Sequence, residues 1–103
     1  MLPNHHKRPP MIVERAEEIA AMALAFLAED VARLTQFLSV TGLSPDTLRR
    51  DASSQRTLAA VLEYLADDES LLLVFASAAA LSPAEIAPAR DILESTHHRG
   101  DDA

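Results

Sequence analysis

Apolar residues recur every three or four positions along most of this chain, a spacing that predicts helices rather than strands. Between 11 and 28, Ile12, Ala16, Ile19, Ala23, Phe26 and Leu27 line one face, while Glu14, Arg15, Glu17 and Glu18 fall mainly on the other. The last turns of this helix are apolar nearly all round, so that end is buried. Asp30 is placed to cap a second helix with the stripe Val31, Leu34, Phe37 and Leu38, and Gly42 suits its left-handed stop. Ser44 caps a third, with Pro45 at its first position and Asp46 at the positive end of the helix dipole. The same grammar returns downstream: Ser54 opens a helix through Leu65, Asp68 caps the next, and Ser82 to Glu85 spells a capping box. No sustained period-two alternation and no Asn-Gly or Asp-Gly turn competes. The chain is all-α.

The return is a repeat. Shifting the sequence by 38 places lays residues 20–48 on 58–86, and 11 of the 29 pairs are identical, where about three would arise by chance. The identities include Leu24 with Leu62, Asp30 with Asp68, Phe37 with Phe75 and the Leu-Ser-Pro at 43 and 81, mostly core and capping positions that set a shape. Two repeats are too few for a solenoid. They predict a compact six-helix orthogonal bundle in which two three-helix blocks pack about a pseudo-twofold axis, with Leu24 and Leu62, and Phe37 and Phe75, in equivalent settings. Two positions break the register. Ala80 replaces Gly42, so the fifth helix either forces an alanine left-handed, at about 1 kcal/mol, or ends differently. Pro88 lacks an amide hydrogen where the sixth helix needs one, which predicts a kink.

One domain over 11–96 is expected, with flexible tails at 1–10 and 97–103, where no periodicity is seen. A chain of 103 residues that is 49% hydrophobic can bury a core of its own. The absence of cysteine removes disulfides, thiolate metal sites and thiol nucleophiles, and suits a reducing compartment. Its apolar runs are too short or too broken to cross a bilayer, and no signal peptide is legible before 11, so a cytoplasmic location is expected. A net charge of −7 opposes phosphate backbones at long range.

The strings LAFLAED, TGLSP and LEYLADDESLLLVFA resemble the alphaproteobacterial family catalogued as domain of unknown function 3572, over roughly residues 14 to 95. Pro88 departs from the uninterrupted Ala- and Arg-rich helix of that family. The resemblance implies a bacterial cytosolic helical protein and no particular activity.

The candidate chemistry is sparse. Gly42, Leu43, Ser44, Thr47, Leu48 and Arg50 fit a helix-turn-helix turn over 34–50, with Arg49, Arg50 and Arg56 as phosphate contacts. Yet the same turn recurs at 80–86 without basic residues before Arg90, which favours packing geometry over DNA reading. The corners Glu29-Asp30 and Asp67-Asp68-Glu69 read as caps and first-turn charges rather than cation ligands. Adjacent histidines at 5–6 and 97–98 point apart and read as solvated tails rather than zinc ligands. Tyr64, the counterpart of Phe26, reads as a core ring with an exposed hydroxyl rather than a catalytic acid. No cofactor and no small-molecule substrate is implied, and a non-enzymatic role is expected. What stands out is the fifth helix: where the second has Arg33, Thr35 and Gln36, it has Leu71, Leu73 and Val74, apolar on every side. Either it is the hidden centre of the bundle, or part of it is a patch for another protein or a second copy of this chain. These residues point to a small acidic interaction module, adaptor or regulatory, with DNA binding as the alternative.

Overall fold

A computed structural model describes residues 10–102, with side chains described over 10–96. Helix α1 (Val13–Ala28) is followed by α2 (Val31–Thr41), α3 (Pro45–Asp51), α4 (Gln55–Ala66) and α5 (Glu69–Ala78). A 3-10 turn (Pro83–Glu85) then leads into α6 (Ile86–Asp102), and no strand occurs among the described residues. Helix α6 continues past 96 to Asp102, and residues 1–9 and 103 lie outside the described residues.

Each start signal acts as its chemistry dictates. The Asp30 carboxylate accepts from the amides of Ala32 and Arg33 at 2.9 and 3.1 Å. Ser44, Ser54 and Asp68 accept from the amides of Thr47, Thr57 and Leu71, and Ser82 with Glu85 completes the capping box. The two helix stops also correspond. Gly42 has φ 77° and donates to the Leu38 carbonyl, while Ala80 has φ 58° and sits in a Schellman turn, with the Leu81 amide reaching the Ala76 carbonyl at 2.8 Å. Of the two routes open to Ala80, the chain takes the strained one.

Pro88 is accommodated differently from the expected kink. The 3-10 turn comes first, with the Ile86 amide donating to the Pro83 carbonyl, and the α-helix restarts at Ile86. Pro88 thereby falls in a first turn, where amide hydrogens have no α-helical partner to lose. The segment Pro83–Thr96 leaves α5 at 112°.

The centre of the bundle is α4, not α5. It packs against α1, α2, α5 and α6, and α6 packs on both α1 and α4. Ile19, Ala23 and Leu27 of α1, Val61, Leu62 and Leu65 of α4, and Ile86, Ala89 and Leu93 of α6 are all completely buried. Helix α5 lies at the edge, turning Phe75 and Ala76 inward.

The expected pseudo-twofold packing is met by some contacts between the blocks and not by others: α6 packs on α4, whereas among the described residues no comparable packing of α3 on α1 is present. Phe26 meets Phe75 with ring centroids 5.4 Å apart, and Phe37 meets Tyr64 edge-on at 5.2 Å; both pairs exchange when 38 is added to one block. The Gln55 amide donates to the Glu17 carboxylate at 3.1 Å, a contact between positions 38 apart, as on an axis. Phe37 and Phe75 are equally buried, but Leu24 and Leu62 are not equivalent: Leu62 is covered by the bundle and Leu24 is half-exposed. The difference follows from the third helices, seven residues in α3 against seventeen in α6.

Candidate interaction surfaces

Because α5 is peripheral, its apolar circumference is only partly used. Leu71 is half-buried, and Leu73 and Val74 are 47% and 48% exposed on opposite flanks of the buried Phe75 and Ala76 line. At about 100° per residue, Val74 continues the Leu71 flank, whereas Leu73 lies on the other. Phe26 of α1 reaches the buried Phe75 of this helix, and Leu73 and Val74 stay exposed.

The arginines of the DNA alternative are gathered on α3 and the first turn of α4, all exposed, but two of them have acidic neighbours. Arg49 is ion-paired with Asp46, and Arg50 is 3.9 Å from Asp51. Arg56 borders a small pocket of mixed lining, with Asp51 and Thr57 beside Leu43 and Ala60. The would-be recognition helix has only two turns.

A groove of about 900 Å³ opens between the start of α1 and the 3-10 turn, walled by Pro10, Met11, Ile12 and Pro88. Arg15 crosses it to Glu85 at 3.3 Å while holding Glu18 at 2.8 Å. A second groove of about 610 Å³ runs along the outer side of α1 over Ala21, Leu24, Ala25 and Ala28.

Several of the polar groups are engaged in structure. Asp30 and Asp68 serve as caps, and no group of three or more potential metal ligands occurs among the described residues. Residues His5 and His6, and the side chains of His97 and His98, lie outside the described residues. Tyr64 packs its ring on Phe37, and its hydroxyl is pushed above the usual phenol range by burial and then by the Asp68 charge. Across α4 and α6, Glu94 is held above the usual carboxylate range, first by a hydrogen bond with Glu63 and then by partial burial, with Arg90 acting in the opposite direction. The sequence carried a signal for the second groove, the match of Ala21, Leu24 and Ala28 with Ala59, Leu62 and Ala66, but its openness depends on how short α3 is. The Glu63–Glu94 pair joins two helices of the second block, α4 and α6, far apart in sequence, and had no local signal.

The fold is thus a small all-α helical bundle whose surface carries apolar patches. The chain belongs to the family described as a protein of unknown function, DUF3572, whose sequence profile matches residues 13–96. No curated protein and no solved structure matches it. No single helix among the described residues is long and apolar enough to cross a membrane.

Proposed function

We propose that this chain is a small acidic, non-enzymatic interaction module of the bacterial cytoplasm, adaptor or regulatory, that binds another protein or a second copy of itself. The half-exposed Leu73 and Val74 on the outer side of α5, beside Leu71, support this assignment. Full burial of such a side chain is worth about 1.5–3 kcal/mol, so a partner covering the patch recovers roughly half of that at each residue.

Leu73→Asp tests it. The substitution leaves Phe75 and Ala76 in place, so the variant is expected to keep its helical circular dichroism. Light scattering should show self-association, or cross-linked capture a bound protein, in the parent chain and not in the variant. Monomers with identical capture in both would refute the patch, and an unfolded variant would make Leu73 a core residue. Sequence-specific DNA binding at physiological salt, lost on changing Arg49, Arg50 and Arg56 to Glu, would replace this function with the DNA alternative.

A further inference from the structure

Ala21, Leu24, Ala25 and Ala28 form a stripe on α1 at spacings i, i+3, i+4 and i+7, and its counterpart 38 residues on is Ala59, Leu62, Glu63 and Ala66 of α4. The α4 stripe has a cover. Ala59 and Leu62 are 6% and 0% exposed, and Ile86, Ala89 and Leu93 of α6, which packs on α4, are fully buried. The α1 stripe has none. Ala21, Ala25 and Ala28 are exposed, Leu24 is half-buried, and together they floor the groove of about 610 Å³ that the α3–α4 turn borders at Ala52 and Ser53.

The molecule therefore shows what covers such a stripe: a helix presenting aliphatic residues like Ile86, Ala89 and Leu93. On α1 that position stays open because α3 ends at Asp51 and Ser54 already caps α4. Charge identifies the occupant further. Glu14, Glu17 and Glu18 line the groove, where the corresponding residues beside the α4 stripe are Ala52, Gln55 and Arg56. Glu17 is shared with Gln55 and Glu18 with Arg15, leaving a rim of carboxylates over an alanine floor that admits close approach.

We propose that this groove on α1 docks an amphipathic helix of a different protein, with an aliphatic stripe at i, i+3 and i+7 and Lys or Arg along its flanks. A second copy of this chain fits poorly, because its own α6 brings Asp91 and Glu94 and its net charge is −7. The groove lies on the flank of α1 away from Phe26 and hence from α5, so it is a surface distinct from Leu71, Leu73 and Val74.

The probe is a fluorescent peptide of about four helical turns with Ile, Ala and Leu at the stripe and Lys on the flanks. A scrambled peptide of equal composition and a stripe peptide with Glu flanks serve as controls. Anisotropy with the full chain should show saturable binding of the Lys-flanked stripe peptide alone. Ala25→Arg, at an exposed helical position that tolerates arginine, should weaken it by roughly tenfold, as should Glu14→Lys with Glu18→Lys, the latter loss shrinking at high salt. Equal binding of the scrambled peptide, indifference to Ala25→Arg, or no binding would overturn the proposal. Binding lost in Leu73→Asp but retained in Ala25→Arg would also overturn it while leaving the α5 patch standing. A dimer of the chain broken by Ala25→Arg would overturn the choice of a different protein as occupant.

Discussion

Ala80 offers the cleanest test of how this backbone is held. Its φ of 58° places a Cβ in the left-handed region, where alanine costs about 1–2 kcal/mol relative to the right-handed helix. Ala80→Gly removes that cost but makes the unfolded chain freer, which takes back about 0.4–1 kcal/mol. The balance is a stabilisation of about 0.5–1 kcal/mol, and for a chain of this size the thermal midpoint should rise by about 2–6 °C. Ala80 is exposed, so no packing is lost. Gly42 provides the reverse experiment, since it has φ 77° and a Cβ built on it meets nothing within 4 Å. Gly42→Ala should destabilise by a similar amount through torsion alone. The two stops are in different helices, so the double exchange should fall within about 0.5 kcal/mol of the parent if the effects add. Differential scanning calorimetry of the four proteins decides it. An Ala80→Gly variant that melts below the parent, or a Gly42→Ala variant that melts at the same temperature, would refute a left-handed stop at the respective site.

Two further outcomes test the core and the carboxyl pair. Phe37→Ala and Phe75→Ala each remove a fully buried ring that meets a ring of the other block, and each should cost about 3–5 kcal/mol by urea denaturation. Costs differing by more than about 2 kcal/mol would show that the two sites relax unequally. Glu94 has its folded-state pKa raised by Glu63, with Arg90 opposing and Asp91 adding to the rise. A carboxyl raised on folding contributes stability that is fully present below its unfolded pKa and lost as pH rises through the folded one. Glu94→Gln should therefore gain on the parent as pH rises through and above the ordinary carboxylate range, by less than about 1 kcal/mol because the pair is partly solvated. A difference in urea midpoints that does not change with pH would refute a raised Glu94 in the folded chain.

How much of this was legible in the sequence depends on the range of the interaction that decided it. Asp30, Ser44, Ser54, Asp68 and Ser82 announce their helices because a cap is satisfied within three residues. Gly42 and the awkward Ala80 are local for the same reason. The placement of α5 was not local. Its all-round apolar surface suits the hidden centre, yet the position against both α1 and α4 goes to α6, whose Ile86, Ala89 and Leu93 form a narrower stripe on a longer helix. Hydrophobicity sets how much a helix gains by burial, whereas the order in which helices fill a bundle depends on their lengths and connections. Composition alone ranks α5 first, and topology puts it at the edge.

The unequal Leu24 and Leu62 show the same limit acting on a repeat. Sequence identity at 38 residues' separation predicts equal settings only if both blocks carry equal neighbours. The first block must hand the chain to the second, and it does so within Ala52, Ser53 and Ser54, after which Thr57 and Leu58 are already buried in α4. A third helix of seventeen residues in the first block would use up the residues that build the first turns of α4. The short α3 is thus the geometric consequence of joining the blocks directly, while α6 runs from Ile86 to Asp102 without a turn and covers α4 along its length. Two nearly identical stripes consequently end in opposite states, one sealed by the chain itself and one facing solvent. Lengthening the connection between α3 and α4 with helix-forming residues should move Leu24 toward the burial of Leu62, and hydrogen exchange across α1 would register that change as slower exchange on its groove side.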